Sequence, residues 1–304
     1  MCARKSSEMP LVSIIVPSYN YDKYIGAAIE SALAQTYENI EVIVADDGSV
    51  DNSVNVARKY HVKVIKLKHM GLAGAFRRGV EASKGEFLLN LNSDDILHPS
   101  YVKETLAALE EDSKIAYAYT QMVGFGAGSY HFESCPFSLK MLLKRPAYFP
   151  ATALIRKSAF LEAGGYDARL PFHEDWDFWL KLAENGEYGV LMPKPLLFYR
   201  QHAGQLGTKA PWAHFAMRHR IRGMHRELFA ANLGARDWLD IFASDCGLFA
   251  YMAARDVFTA LRVWEPVRRG MVRIVAALQP GYAYANEVPE SCRQLIKRMD
   301  SERA

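Results

Sequence analysis

Residues 40–49 read Ile40-Glu41-Val42-Ile43-Val44-Ala45-Asp46-Asp47-Gly48-Ser49, a β-rich apolar run that ends in two carboxylates, a glycine and a hydroxyl. The run is too short for a buried helix and has turn residues at both ends, so it reads as a strand. The same arrangement recurs on either side of it. Leu11 to Val16 runs into Pro17-Ser18-Tyr19-Asn20, Val62 to Leu67 into Lys68-His69-Met70-Gly71, and Phe87 to Leu91 into Asn92-Ser93-Asp94-Asp95. Helical periodicity fills the intervals, through Tyr24, Ile25, Ala28, Ile29, Ala32 and Leu33 and again through Leu72, Ala75, Phe76, Gly79 and Val80. Strand–helix–strand units of this kind form right-handed crossovers and a parallel sheet. Near-continuous apolar strands suit a sheet covered on both faces. All four polar clusters then fall on one edge of one sheet, the edge where open α/β sheets bind ligands.

The fold class expected is therefore α/β: a mostly parallel central sheet with helices on both faces, followed by a helical C-terminal region. Residues 1–10 form a polar tail. Residues 11–120 form the alternating half of a domain that extends to 205. Residues 121–172, rich in Gly, Pro and aromatics, are expected to be irregular. A helix follows over 174–185, stopped by Asn185-Gly186, then two short apolar runs, Tyr188 to Met192 and Leu196 to Arg200. From 206 to 304 the pattern is helical, broken at Pro266 and at Pro280-Gly281. The aromatics Phe125, Tyr130, Phe132, Phe137, Tyr148 and Phe149 are expected mainly to pack the core; stacking on an acceptor sugar or lid formation is the other use of such residues.

The chain has 304 residues, half of them hydrophobic, and a net charge of +3. No apolar stretch approaches the roughly 18 residues that a spanning helix needs, and the N-terminus lacks a signal-peptide core. Cys2, Cys135, Cys246 and Cys292 are far apart and read as reduced thiols of a cytoplasmic protein. The basic excess lies after residue 205, in Arg218, Arg220, Arg222 and Arg226 and in Arg268, Arg269 and Arg273. Such groups serve either as a solvated helix face or as a contact with an anionic membrane surface or acceptor. Trp264 and Met271 complete an amphipathic stretch suited equally to a membrane surface, to the catalytic domain or to a second subunit in a homo-oligomer. No nucleic-acid-binding motif accompanies the charge, so nucleic acid is not an expected partner.

Asp46, Asp47, Asp94 and Asp95 would converge at the sheet edge. Two carboxylates about 4 Å apart repel by roughly 4 kcal/mol at an effective dielectric near 20. A proton, an arginine or a cation must offset this, and hard oxygen ligands beside a phosphate favour Mg²⁺ or Mn²⁺. The plainer reading of Asp46-Asp47-Gly48-Ser49 is a turn with a helix cap. A second acidic group, His173-Glu174-Asp175, opens the helix over 174–185. Asp175 shares a face with Phe178, Trp179 and Leu182, so it should point toward the core or a cleft, where partial burial raises its pKa and suits it as a general base. Helix capping is the alternative there too. Asp177, with Lys181 four residues on, reads as a surface pair.

Taken together, these residues resemble the inverting family 2 glycosyltransferases, which have the A-type nucleotide-diphospho-sugar transferase fold. The resemblance runs through Val12 to Asn20, Asp46-Asp47-Gly48-Ser49, Gly71 to Gly85, Ser93-Asp94-Asp95, Gly164-Gly165-Tyr166-Asp167, Glu174-Asp175-Trp176-Asp177 and Tyr199-Arg200-Gln201-His202. It covers about residues 10 to 205 and not the tail. It implies transfer of a sugar from a nucleotide diphosphate donor, a UDP-sugar before others, to the hydroxyl of a glycan, lipid-linked or small-molecule acceptor, with Mn²⁺ or Mg²⁺ as cofactor. On that resemblance Pro17, Tyr19 and Asn20 belong to the donor pocket and Asp47 accepts from a pyrimidine. Asp94 holds the ribose or shares the metal, Asp95 binds the metal, and His202 completes its shell. Arg200 steadies the phosphate, Asp175 is the catalytic base, and His173 and Glu174 stand on the acceptor side. Where members of the family commonly carry Ala-Arg-Asn, this chain has Ala75-Phe76-Arg77 followed by Arg78, so Arg77 or Arg78 takes over the phosphate contact. Asn92 stands where many carry Asp.

Two other classes compete with this reading. A sugar-1-phosphate nucleotidyltransferase needs a glycine-rich, basic loop after the first strand, which Pro17-Ser18-Tyr19-Asn20 does not supply. A non-catalytic sugar-nucleotide binding or assembly protein would tolerate the Phe76 departure.

Overall fold

Four strands lead the chain, β1 (Val12–Ser18), β2 (Ile40–Asp46), β3 (Lys63–Lys66) and β4 (Phe87–Asn90). They pair in parallel in the order β4-β1-β2-β3. Helices α1 (Ile25–Leu33), α2 (Ser53–Ala57) and α3 (Gly71–Ala82) make the crossovers. The computed structural model describes residues 9–127, 130–146, 149–202, 211–260 and 283–285. Cys2, Cys292, Tyr148 and the stretch around Trp264 and Met271 with Arg268, Arg269 and Arg273 lie outside the described residues.

The apolar runs build two cores, one on each face of the sheet. Within fully buried β1, Val12, Ile14 and Val16 join the core that contains Ile25, Ile29, Tyr101 and Leu109. Ile15 faces the other way, into the core of Phe76, Phe160, Tyr166, Trp176 and Trp179. This is the period-2 geometry of a strand covered on both sides. Gly79 lets α3 lie close against β1, because a Cβ there would fall 2.4 Å from Ile15 Cγ2.

Beyond β4 the sheet is mixed. The chain continues through β5 (Ile96–Leu97), α4 (Tyr101–Glu110), β6 (Ile115–Gly126), β7 (Tyr130–Glu133), α5 (Leu139–Lys144), β8 (Leu154–Arg156) and α6 (Lys157–Glu162). Strand β8 pairs antiparallel with both β4 and β6, and β7 pairs antiparallel with β6. Residues 121–172 are thus more regular than their composition suggests. Strand β7 lies between β10 and β6, and β8 between β6 and β4, so pairing with segments distant in the chain makes this stretch regular.

Helix α7 (Glu174–Glu184) ends as expected, with Gly186 in the left-handed region at φ 77°. The two apolar runs that follow are one strand, β9 (Tyr188–Gln201), parallel to β6. Register shifts opposite Thr120–Met122 accommodate Pro193 and Pro195, so the prolines bulge the strand without ending it. Helices α8 (Pro211–Met224), α9 (Arg226–Asn232) and α10 (Ala235–Ala260) follow, and β10 (Ala283–Ala285) pairs with β7. Ile221, Phe229, Leu233 and Ile241 enter the same core as Trp176 and Trp179. The helices after 205 are therefore continuous with the packing behind α7. Phe125, Phe132 and Phe149 are buried, which bears out core packing for them. No helix among the described residues is long and apolar enough to cross a membrane.

Candidate active site

The parallel register carries the polar clusters to a common edge. Past the strand ends, Asp47 N donates to Ser18 O at 2.7 Å, Leu67 N to Asp46 O at 2.8 Å and Leu91 N to Ile15 O at 3.0 Å. Asn20, left-handed at φ 60°, ties two of these loops together. Its backbone N–H donates to Ser49 Oγ, and its Oδ1 accepts from Val50 N, both at 2.9 Å. Pro17 is buried within β1, opposite Ala45.

Asp47 is almost wholly buried, and its carboxylate accepts Met70 N at 2.6 Å and Gly71 N at 2.8 Å. It thereby caps α3 from another strand end, where the helix dipole favours negative charge. The sequence offered capping and ligand binding as alternatives at this cluster, and the cap is present. His69 Nδ1 lies 3.1 Å from Asp47 Oδ2, and the exposed Tyr19 ring lies 4.2 Å from the His69 ring. This aromatic pair forms a platform at the mouth of the β1 and β3 loops.

Asp94 and Asp95 divide their work. Asp95 is fully buried and accepts Arg200 N at 3.0 Å and Asn92 Nδ2 at 2.9 Å. Asp94 Oδ2 meets His202 Nε2 at 3.0 Å, and Arg200 Nε donates to the Asp94 carbonyl at 3.0 Å. Burial raises the pKa of Asp94. Burial, and then the charge of Asp94, raises that of Asp95 well above the usual carboxylate range. His202 is held between the rings of Tyr24, at 4.6 Å, and Tyr21, at 5.8 Å. The Arg200 guanidinium lies 4.4 Å from the Phe125 ring and 5.1 Å from that of Tyr24. Among the described residues no three His, Cys, Asp or Glu side chains are grouped to hold a metal by themselves. Asp95, expected to bind the metal, gives each of its oxygens to a protein N–H instead; the Asp94 carboxylate and the His202 imidazole that remain suit a Mn²⁺ or Mg²⁺ ion that takes the rest of its shell from phosphate and water.

The third wall is the start of α7. Glu174 and Asp175 are half-buried. Burial lifts Asp175 to about 6, although its carboxylate accepts Trp176 N at 2.8 Å. Burial, and then the neighbouring Asp175, lifts Glu174 to about 8. The hydroxyl of buried Tyr166 lies in the field of both and beside Asn90 at the end of β4, four residues before Asp94. His173, in the left-handed region at φ 62°, sits against His214. Asp177, expected on the surface, is completely buried instead: it pairs with Lys181 at 2.6 Å and His225 at 3.0 Å. The i,i+4 pair is present, but His225, just before α9, closes over Asp177 from a distant segment that local sequence does not show.

Phe76 belongs to the core, with ring centroids 5.0 Å from Tyr166 and 5.6 Å from Phe160. Arg77 donates to the Tyr166 carbonyl at 3.1 Å, and Arg78 pairs with Glu81. No sequence pattern singles out Tyr21 or His214, and Tyr166 enters only as part of the Gly164-Gly165-Tyr166-Asp167 motif. Tyr24 was read only as part of an apolar helix face. For His69 a signal existed, its place in a strand-end cluster.

With this geometry established, comparison places the chain. The family model described as Glycosyl transferase family 2 matches residues 13–163, and the one described as Glycosyltransferase like family 2 matches residues 137–244. The chain belongs to glycosyltransferase family 2. An uncharacterized glycosyltransferase of Rickettsia typhi is 33% identical over 192 residues, covering 59% of this chain and 60% of that protein. The chain thus spans about three fifths of the length of that relative. Among solved structures, TarS residues 1–349 of S. aureus in complex with UDP-GlcNAc superposes with a TM-score of 0.61 at 19% identity, over 90% of this chain and 82% of that one. The mannosyltransferase PcManGT from Pyrobaculum calidifontis, in complex with GDP-Man and Mn²⁺, gives 0.57 at 16% identity, over 97% of this chain and 85% of that one. These likenesses establish the A-type fold.

Proposed function

We propose that the protein is an inverting, metal-dependent glycosyltransferase that uses a UDP-sugar donor and a hydroxyl acceptor. The observation that carries this reading is a pair of chemically distinct carboxylate sites: Asp94 paired with His202 past the end of β4, and Asp175 at the start of α7 with its pKa raised to about 6. One site suits a cation and a diphosphate, the other a proton transfer near neutral pH. The UDP complex of the TarS fold neighbour supports the choice of nucleotide, and the Mn²⁺ complex of PcManGT supports the metal.

In this reading the Tyr19–His69 platform receives the base, with Pro17 and Asn20 setting the β1 loop. Asp47 fixes the start of α3 and offers its remaining lone pairs to a pyrimidine N–H. Asp94 and His202 would hold the divalent cation, which would neutralise charge on the diphosphate. Asp95 secures Arg200 and Asn92 behind them, and Arg77 and Arg200 lend positive charge to the phosphate side. Asp175 takes the proton from the acceptor hydroxyl as its oxygen bonds to the anomeric carbon. The bond from that carbon to the diphosphate breaks, the nucleoside diphosphate leaves, and attack from the opposite face inverts the configuration. His173 and Glu174 line the acceptor side.

The test is a thermal-shift and turnover screen of nucleotide sugars with and without Mn²⁺. A single preferred donor should raise the melting temperature, because a ligand at a hundred times its Kd adds about 2.7 kcal/mol to stability. Release of nucleoside diphosphate should require both the metal and Asp175. Donor binding without turnover over a broad acceptor panel would instead support a binding protein.

A further inference from the structure

We propose that His214, on α8, is a positioning residue for Asp175 and acts through His173; the inference rests on the reading of Asp175 as the base. His173 adopts φ 62° and ψ 19° immediately before Glu174 and Asp175. A non-glycine residue in that region is strained and persists only where its surroundings enforce it. Here the enforcement comes from beyond residue 205. His214 Nδ1 lies 3.1 Å from His173 Nε2, and its ring is 4.7 Å from that of Phe172. The His173 carbonyl accepts Asp177 N at 3.1 Å, so the same residue closes the first turn of α7.

Behind His214, α8 is tied to α10 by two ion pairs. Arg218 and Arg222, one and two turns further along α8, both bind Asp245 of α10, at 3.0 and 2.6 Å. Arg222 also lies 5.7 Å over the ring of Trp176, the residue after Asp175. Burial first, and then Arg218, His214 and Arg222, hold His173 down to about 2. His173 is therefore neutral, and an imidazole pair needs only one N–H and one lone pair between the two nitrogens. A continuous path of contacts runs from α10 through α8 to the turn that aims Asp175. The helical tail thus acquires a role in the chemistry: it braces the base.

The experiment compares wild type with His214→Ala, His214→Asn, His173→Gly and the His173→Gly/His214→Ala double variant. Each is assayed by nucleoside diphosphate release with its preferred nucleotide sugar and Mn²⁺, alongside thermal melts. His214→Ala should lower kcat roughly ten- to a hundredfold, the range expected when a reacting group is displaced by about 1 Å. The donor KM should stay within about twofold, since only the acceptor-side geometry changes. His214→Asn, whose amide can take the place of Nδ1, should recover most of the rate. His173→Gly tolerates φ 62° but lacks the imidazole, so it should fall with His214→Ala, and the double variant should be no slower than the slower single. Should His214→Ala unfold, His214→Asn and His173→Gly carry the comparison with α8 intact. Wild-type kcat in His214→Ala, additive losses in the double variant, or failure of Asn to rescue would overturn the inference. A wild-type protein with no turnover would instead overturn the glycosyltransferase reading.

Discussion

Asp95 Oδ1 accepts the backbone N–H of Arg200 at 3.0 Å, tying the end of β4 to the end of β9. Its other oxygen accepts Asn92 Nδ2 at 2.9 Å, whereas Asp94 turns its carboxylate to His202. The two neighbours should therefore fail differently. Asp95→Asn sets two N–H groups against each other at one of these contacts, a buried mismatch costing roughly 1–3 kcal/mol, so its melting temperature should drop by a few degrees. Asp94→Ala should keep its melting temperature and lose turnover a hundredfold or more, on the order of what removing one stabiliser of developing charge costs. Metal titrations should show weakened Mn²⁺ dependence in Asp94→Ala and in His202→Ala. A stable Asp95→Asn with wild-type melting and lost metal response would reverse the assignment.

Tyr19 is 39% exposed and touches the protein chiefly through His69, so little of the fold depends on it. Tyr19→Ala should leave the melting curve unchanged and weaken donor binding by the roughly 1–3 kcal/mol that one base–aromatic stack is worth. In kinetic terms the donor KM rises between about five- and a hundredfold with kcat held, the signature of binding shared by ground and transition states. An unchanged KM would move the base pocket elsewhere.

Much of this site was legible before any coordinates, because parallel strands convert sequence order into a shared edge. Asp47, Asp94, Asp95 and Asp175 needed only strand ends and one helical spacing to be singled out. What was not legible depends on contacts between distant segments. Asp177 looks exposed from its own helix, and only His225, between α8 and α9, reveals that it is buried. Strand β9 looks like two strands because two prolines interrupt a pairing whose partner lies some seventy residues earlier. The division of labour between Asp94 and Asp95 turns on Arg200 and His202, which no local pattern links to them.

Phe76 occupies a position where arginine is usual in the resembling sequences, and its side chain is fully buried against Phe160 and Tyr166. Restoring the common residue should therefore harm this protein. Phe76→Arg buries an unpaired charge, a penalty of several kcal/mol, and should yield little folded material. Phe76→Leu removes less and should fold, with reduced stability and near-normal turnover at low temperature. Folded, active Phe76→Arg would mean that α3 can rotate to present the arginine to the phosphate.

The start of α7 sets the pH behaviour. Burial raises Asp175 from 3.8 to about 6 and Glu174 from 4.5 to about 8, so the folded state holds these protons more tightly than the unfolded chain. A carboxylate raised in this way leaves the fold at full stability below its unfolded pKa and weakens it as pH rises toward the folded value. The window therefore runs from about pH 4 to about pH 8, with the penalty present at alkaline pH. Glu174→Gln removes one titration, so it should match wild type at pH 4 and exceed it by about 2 kcal/mol at pH 8.5, within the 1.36 kcal/mol per pKa unit that linkage allows. Chemical denaturation at the two pH values reads this directly. Turnover should follow the other group: it rises as pH passes about 6 and Asp175 loses its proton, and this limb should survive in Glu174→Gln and vanish in Asp175→Asn. If Glu174→Gln gained no stability at pH 8.5, Glu174 would already be ionised without penalty in the native protein. A limb near pH 6 that persisted in Asp175→Asn would belong to another group.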